Sequence, residues 1–176
     1  MPQTPAPDLV ARGRAGDAGA LSELYARYAR PLMALAYRLT GSREDAEDVL
    51  HDVFLGLPEA LRRYDERGSL EPWLKRVTAR VALTRLRSQG RRRELSLDAL
   101  PAPVMAAPDR SADDLGAVAR ALDALPETLR AVFVLREVEG LSHAEIAALL
   151  DISARASEVR LHRALKALRR ILRPDS

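Results

Sequence analysis

The side chains best suited to chemistry in this chain are cations set at helical spacing near its end. Between Ala154 and Leu172, Leu161, Leu165, Leu168 and Leu172 recur at the three-to-four spacing of one apolar helix face. Arg155, Arg160, His162, Arg163, Lys166, Arg169, Arg170 and Arg173 fall on the other faces. Cations on a rigid rod can neutralise phosphates and reach base edges. Such a rod needs an element to hold it, and Leu141–Leu150 supplies one. Ser142 can cap a helix, Glu145 three residues later completes a capping box, and Leu141 can staple onto Ile146. Asp151-Ile152-Ser153 then breaks the run, because Asp tolerates a left-handed turn and Ser153 can cap the second helix. Two helices with a short turn and a basic second member can lay a helix in the DNA major groove. The plainer alternative is a pair of packed helices with a solvated basic face.

Catalytic machinery has nothing to rest on. There is no cysteine, so disulfides, thiolate metal sites and a cysteine nucleophile are excluded. His51, His143 and His162 are scattered without ligand spacing, and no Gly-Lys-Ser/Thr follows a glycine-rich loop. The expectation is a non-enzyme with no cofactor and no metal. The Pro-rich start is not a signal peptide, and no apolar run approaches the roughly 20 residues of a membrane span. A soluble, cytoplasmic protein without membrane insertion is expected. Net charge is only +3, but its distribution is uneven. Glu44, Asp45, Glu47, Asp48 and Asp52 form an acidic block, whereas Lys75, Arg76, Arg80, Arg85, Arg87, Arg91, Arg92 and Arg93 have no acid among them. One acidic and two basic surfaces suit a protein partner plus a nucleic acid.

A chain of 176 residues with 47% hydrophobic content can bury one medium core or two small ones. Leu21, Leu24, Tyr25, Tyr28, Leu32, Leu35 and Ala36 predict a helix over Ala18–Leu39. Ser42 caps the next, whose buried stripe is Ala46, Val49, Leu50, Val53, Phe54 and Leu57. Pro58–Leu61 starts a short helix, and Arg63–Ser69 is a polar loop. Another helix runs over Trp73–Ser88. Short helices around Val118–Leu125 and Thr128–Glu137 precede the helix-turn-helix, with Glu139-Gly140 as a stop. Trp73 reads as core rather than as a stacking platform. No strand pattern appears. The fold expected is all-α, two small helical domains joined by a flexible linker. Its divisions are a disordered tail over 1–16, a first domain over 17–90, a linker over 91–115 containing Pro101, Pro103 and Pro108, and a second domain over 116–174.

Two stretches, in order, resemble the extracytoplasmic-function sigma factors of bacterial RNA polymerase. The first is Tyr37-Arg38-Leu39-Thr40-Gly41-Ser42-Arg43-Glu44-Asp45-Ala46-Glu47-Asp48-Val49-Leu50 with Asp52–Leu55, followed by Gly68-Ser69-Leu70 and Pro72-Trp73-Leu74. The second is Leu125-Pro126-Glu127, then Val132–Ser142, closing on Leu161-His162-Arg163-Ala164. The resemblance implies a sigma2-like bundle and a sigma4-like helix-turn-helix domain. It implies a chain that joins RNA polymerase core and directs promoter-specific initiation. Partners would be core enzyme, promoter DNA and an anti-sigma factor, with a monomer when free.

By the same resemblance Asp45, Asp48, Val49, Asp52 and Phe54 would dock the polymerase. Asp65, Arg67 and Ser69 would read a base of the minus-ten element, with Lys75, Arg76, Arg80, Arg85 and Arg87 holding phosphates. At the minus-thirty-five element Arg155, Ala156, Glu158 and Arg160 would face the groove, and His162, Arg163, Lys166 and Arg170 the phosphates. The stretch Leu129–Gly140 would meet the polymerase flap. The chain departs from the family pattern at Arg80, where Asn is usual, at Thr84, where Asp is usual, and at Asp151, where Gly is usual. It departs again at Ser157, usually a buried valine, and at Glu158, usually a lysine. The last two are expected to weaken the inner face and lower phosphate attraction. The alternatives are a stand-alone helix-turn-helix regulator, which would dimerise, or a sigma-like scaffold with decayed DNA reading.

Overall fold

The computed structural model describes residues 7–65, 69–95 and 114–172. Among these residues the secondary structure is entirely helical. The chain divides into two compact units, Met1–Leu86 and Arg87–Ser176.

The first unit begins earlier than its periodicity suggests. Pro7–Arg14 form a helix, α1, where a disordered tail was expected over residues 1–16. Leu9 and Val10 are buried, and α1 lies against α2 (Ala18–Thr40) and α4 (Leu57–Leu61). Gly13 permits the close approach: a Cβ there would sit 3.0 Å from Leu61 Cδ1 and 3.1 Å from Leu24 Cδ1. A helix this short has no stable period of its own, so its order comes from tertiary burial rather than propensity.

Asp17 caps α2, accepting from the Ala20 N–H at 2.7 Å and from the Arg12 guanidinium at 2.7 Å. The Ala20 N–H first, and Arg12 second, hold its carboxyl below the usual range. Gly41 ends the helix at φ 70°, donating to Tyr37 O at 2.8 Å. Pro31 sits inside α2 and removes one rung, yet the helix continues because Tyr28, Leu32 and Leu35 are buried on either side.

Ser42 caps α3 (Arg43–Leu55), which packs along α2 with Ala46, Val49, Leu50 and Val53 buried. Gly56 leads into α4, whose Leu57 and Leu61 are fully buried. Helix α5 spans Leu70–Leu95, starting before Trp73 and passing Ser88. Residues 91–95, read as linker, therefore continue a helix. The linker's far end is also helical, since α6 covers Asp114–Asp123. The remainder of the expected linker, 96–113, lies outside the described residues.

In the second unit Ala121, Leu125, Ala164 and Leu168 form one core cluster, with Leu122, Leu129, Phe133 and Ile171 packed against it, and Val132, Val134, Leu135 and Ile146 are also buried. Helix α7 (Glu127–Phe133) passes into a π-helical turn, Val134–Val138, where one continuous α-helix was expected. Glu139 N–H donates to Val134 O at 3.0 Å, and Arg136 Nη1 donates to Leu141 O at 2.9 Å. This fixes the entry to α8 (His143–Leu150) after Gly140 at φ 71°.

The capping box forms: Ser142 N–H donates to Glu145 Oε2 at 2.9 Å and Glu145 N–H donates to Ser142 Oγ at 3.2 Å. Asp151 takes the left-handed turn at φ 55°. Ser153 Oγ accepts from Ala156 N–H at 3.0 Å and opens α9 (Ala154–Leu172).

Ser157 was expected to weaken the inner face of α9. It is fully buried, and its hydroxyl lies 2.9 Å from His143 Nδ1 of α8. The polar substitution is therefore satisfied across the helix-turn-helix rather than left unpaired, which is the condition for burying a hydroxyl cheaply.

Each of these packing features carries a measurable cost. Leu9→Ala lowers the unfolding free energy of the first unit by about 2–4 kcal/mol, read by the fluorescence of the single tryptophan, Trp73; a loose tail would cost nothing measurable. A double-mutant cycle of His143→Ala and Ser157→Ala gives a coupling of about 1 kcal/mol in hydrogen exchange of α8 and α9; additive losses would contradict the bond.

Candidate nucleic-acid interface

Helix α9 turns Ser157, Ala164 and Leu168 inward. Arg155, Glu158, His162, Arg163 and Lys166 are exposed, and Ala156 and Arg160 sit half-buried at the flanks. Arg155 Nη1 meets Glu158 Oε2 at 3.1 Å, so two of the expected groove-facing residues pair with each other. An exposed i,i+3 pair contributes little to stability. It does leave the acid's charge partly compensated by a cation of the same helix. Val159, between them and His162, is also exposed. An apolar group there can meet a thymine methyl. Sequence reading missed it because valine at a helical position reads first as core.

The first unit carries a different surface. A groove of about 470 Å³ lies between α4 and the first half of α5. Arg63, Arg76 and Arg80 line it together with Trp73, Val77 and Glu59. Trp73 is only half-buried, and its ring packs on Tyr64 with centroids 5.0 Å apart and planes tilted by 50°. It is thus both packed and groove-lining, where burial alone was expected. Cationic walls with an aromatic floor can hold a phosphate and a base face together. Asp65 and Ser69 are exposed near the start of α5, and Arg87 is exposed further along it. Lys75 is half-buried and pairs with Glu71 at 3.5 Å. Arg67 lies outside the described residues.

Arg85 departs from its expected role as a phosphate holder. Its guanidinium is taken by the acidic face of α3: Nε lies 3.4 Å from Asp45 Oδ1, Nη1 lies 3.7 Å from Asp52 Oδ2, and Nη2 bonds Asp48 Oδ2. The three aspartates expected to dock a protein partner therefore converge on a cation of the same chain. About half of the Asp48 and Asp52 side-chain surface stays exposed, so they present an outer edge as well. Val49 is corrected from a docking residue to core, since it is 0% exposed. Phe54 is half-buried and meets Tyr25 edge-on, with centroids 4.8 Å apart. Leu55, 73% exposed beside it, is the apolar surface that the helical pattern did not single out. On the outer side of α3, Arg43 is raised by its hydrogen bond to Glu47.

No helix among the described residues is long and apolar enough to cross a membrane. Groups of three or more His, Cys, Asp or Glu able to hold a metal are also absent among them.

These two surfaces coincide with two known sequence regions. The model for Sigma-70 region 2 matches residues 24–92, and that for Sigma-70, region 4 matches residues 115–168. The chain is 35% identical over 173 residues to the ECF RNA polymerase sigma factor SigE of Mycolicibacterium smegmatis, covering 92% of this chain and 66% of that protein. It is 34% identical over 163 residues to the RNA polymerase sigma factor CarQ of Myxococcus xanthus, covering 92% of this chain and 94% of CarQ. The solved structure of CnrH in complex with the cytosolic domain of CnrY superposes with a TM-score of 0.58 at 28% identity, covering 96% of this chain and 97% of that one. Both regions occur in order along the chain, and the chain belongs to the extracytoplasmic-function family of RNA polymerase sigma factors.

Proposed function

We propose that this chain joins RNA polymerase core as an alternative sigma factor and directs it to its own class of promoters. The observation that carries the reading is the presence of two distinct cationic surfaces on separate units of one family member. On the second unit, α9 enters the major groove of the minus-thirty-five element. Arg155, paired with Glu158, and Arg160 meet base edges there, with Ala156 close to the bases, while His162, Arg163, Lys166 and Arg170 hold phosphates. On the first unit, Arg76 and Arg80 bind the minus-ten strand along the groove with Lys75 flanking it, and Arg87 follows on the same helix. Asp65, Arg67 and Ser69 contribute to reading the same element.

Core polymerase engages the outer edge of α3, where Asp48 and Asp52 remain accessible and Asp45 and Phe54 support them. Leu55 offers apolar area at the same edge. Charge at such a rim steers association, and the apolar patch supplies burial.

The role is regulatory rather than catalytic and needs no cofactor. The free chain is a cytoplasmic monomer, and a protein inhibitor holds it until release, as the cytosolic domain of CnrY is found bound to CnrH. The functional domains are residues 17–90, with α1 packed against them as part of the same unit, and residues 116–174.

Arg155→Ala or Arg160→Ala should lower transcription from promoters with an upstream element by roughly 5- to 100-fold. Competition for core polymerase should stay within about twofold of wild type, inside the range of a neutral surface substitution. Equal loss at promoters lacking that element would contradict the assignment of α9.

A further inference from the structure

We propose that Arg14, on α1, is a positioning residue for the cationic groove of the first unit, an inference that rests on reading that groove as the minus-ten contact. Arg14 Nε donates to Leu61 O at 2.9 Å, and its Nη2 donates to Tyr64 O at 2.9 Å. Leu61 is the last residue of α4, where helix carbonyls lose their intrahelical partners. The chain tightens there: Arg62 N–H donates to Glu59 O, Arg63 N–H to Ala60 O and Tyr64 N–H to Leu61 O, at 3.2, 3.0 and 3.1 Å. Leu61 O and Tyr64 O each accept one arm of the same guanidinium. A planar fork suits this task, since a cation at a helix C-terminus is favoured and two donors fix direction as well as distance.

One wall of the groove is held by this fork. Arg63, between the two gripped carbonyls, lines it. Tyr64 supports the Trp73 ring that lines it from α5. The other end of the strut is rigid as well. Leu9 and Val10 are buried, and Gly13 brings α1 against Leu61 and Leu24 without a Cβ. Arg14 thus acts through Arg63, Tyr64 and Trp73 on the shape of the nucleic-acid surface. It lies outside both cationic clusters and has no part in the docking edge of α3.

The test selects bound promoters from a pool randomised in both elements, using holoenzyme assembled from full-length chain and core polymerase. Arg14→Ala should flatten base preference in the minus-ten element by on the order of tenfold, the equivalent of one lost charge-assisted hydrogen bond. Preference in the minus-thirty-five element, read by the other unit, should be unchanged. Arg14→Lys keeps the charge but cannot offer two coplanar donors, and it should flatten the same preference by a smaller factor. If the alanine variant does not fold, the lysine variant decides: flattening confined to the minus-ten element supports the proposal, and wild-type preference overturns it. Unchanged minus-ten preference in Arg14→Ala, or parallel loss in both elements, also overturns it. A holoenzyme carrying Arg76→Ala with Arg80→Ala separates the two levels. If that pair flattens the minus-ten preference and Arg14→Ala does not, only the positioning role fails. If neither does, the groove is not the promoter contact, and both readings fall.

Discussion

Three carboxylates on one face of α3 and one guanidinium from α5 set the charge logic of the first unit. Asp45, Asp48 and Asp52 stand at spacings that make them neighbours along a helix, where like charges repel. Left alone, that face would disfavour its own helix and would draw in any nearby cation. Arg85 sits among all three and offsets the repulsion while tying α3 to α5. The consequence reaches both surfaces. The helix that carries Arg76 and Arg80 along the groove also carries the guanidinium that meets the acidic helix. Arg85 is thus one side chain through which a change on one face can reach the other.

The second unit solves a comparable problem with a single polar pair. A buried hydroxyl at position 157 would be costly alone, yet His143 reaches it from the facing helix. The same pair adds a directional contact to the packing of α8 on α9. On the outer side Glu158 places an acid on a helix suited to phosphates, but Arg155 takes it up. Two departures from the family pattern are thus absorbed locally, by partners one helix or one turn away. Arg80 remains a departure with a visible consequence, since it puts a third cation, with Arg63 and Arg76, around the groove.

Much of this was legible in the residues themselves. The boundaries of α9 and the capping box at Ser142 and Glu145 depend on local chemistry, and the left-handed turn at Asp151 does too. Such features are written in neighbouring residues and can be read there. The helix α1 was not legible, because eight residues carry too few apolar positions for a period and are ordered only by burial. The partner of the aspartates was not legible either. Their spacing marked one face, but nothing in the sequence says that Arg85, rather than Arg80 or Arg87, turns toward it. Val49 fell in the buried stripe by its helical spacing and at the docking face by family resemblance, and its complete burial decides for the core, although it is a helical neighbour of Asp45 and Asp52. Sequence marks surfaces by composition, whereas their division into core, clamp and contact is a tertiary matter.

Arg85 is the single side chain that ties α3 to α5 by charge among the ion pairs described above, and a double-mutant cycle isolates its contribution. Arg85→Met and Asp48→Asn, alone and combined in the full-length chain, are compared by denaturant unfolding followed at Trp73. At low ionic strength the coupling should be about 0.5–1 kcal/mol, and it should shrink in about 1 M salt, as expected for partly exposed charges. A coupling indistinguishable from zero at low salt, with both single variants as stable as wild type, would contradict the clamp and the link it makes between the two faces of the unit.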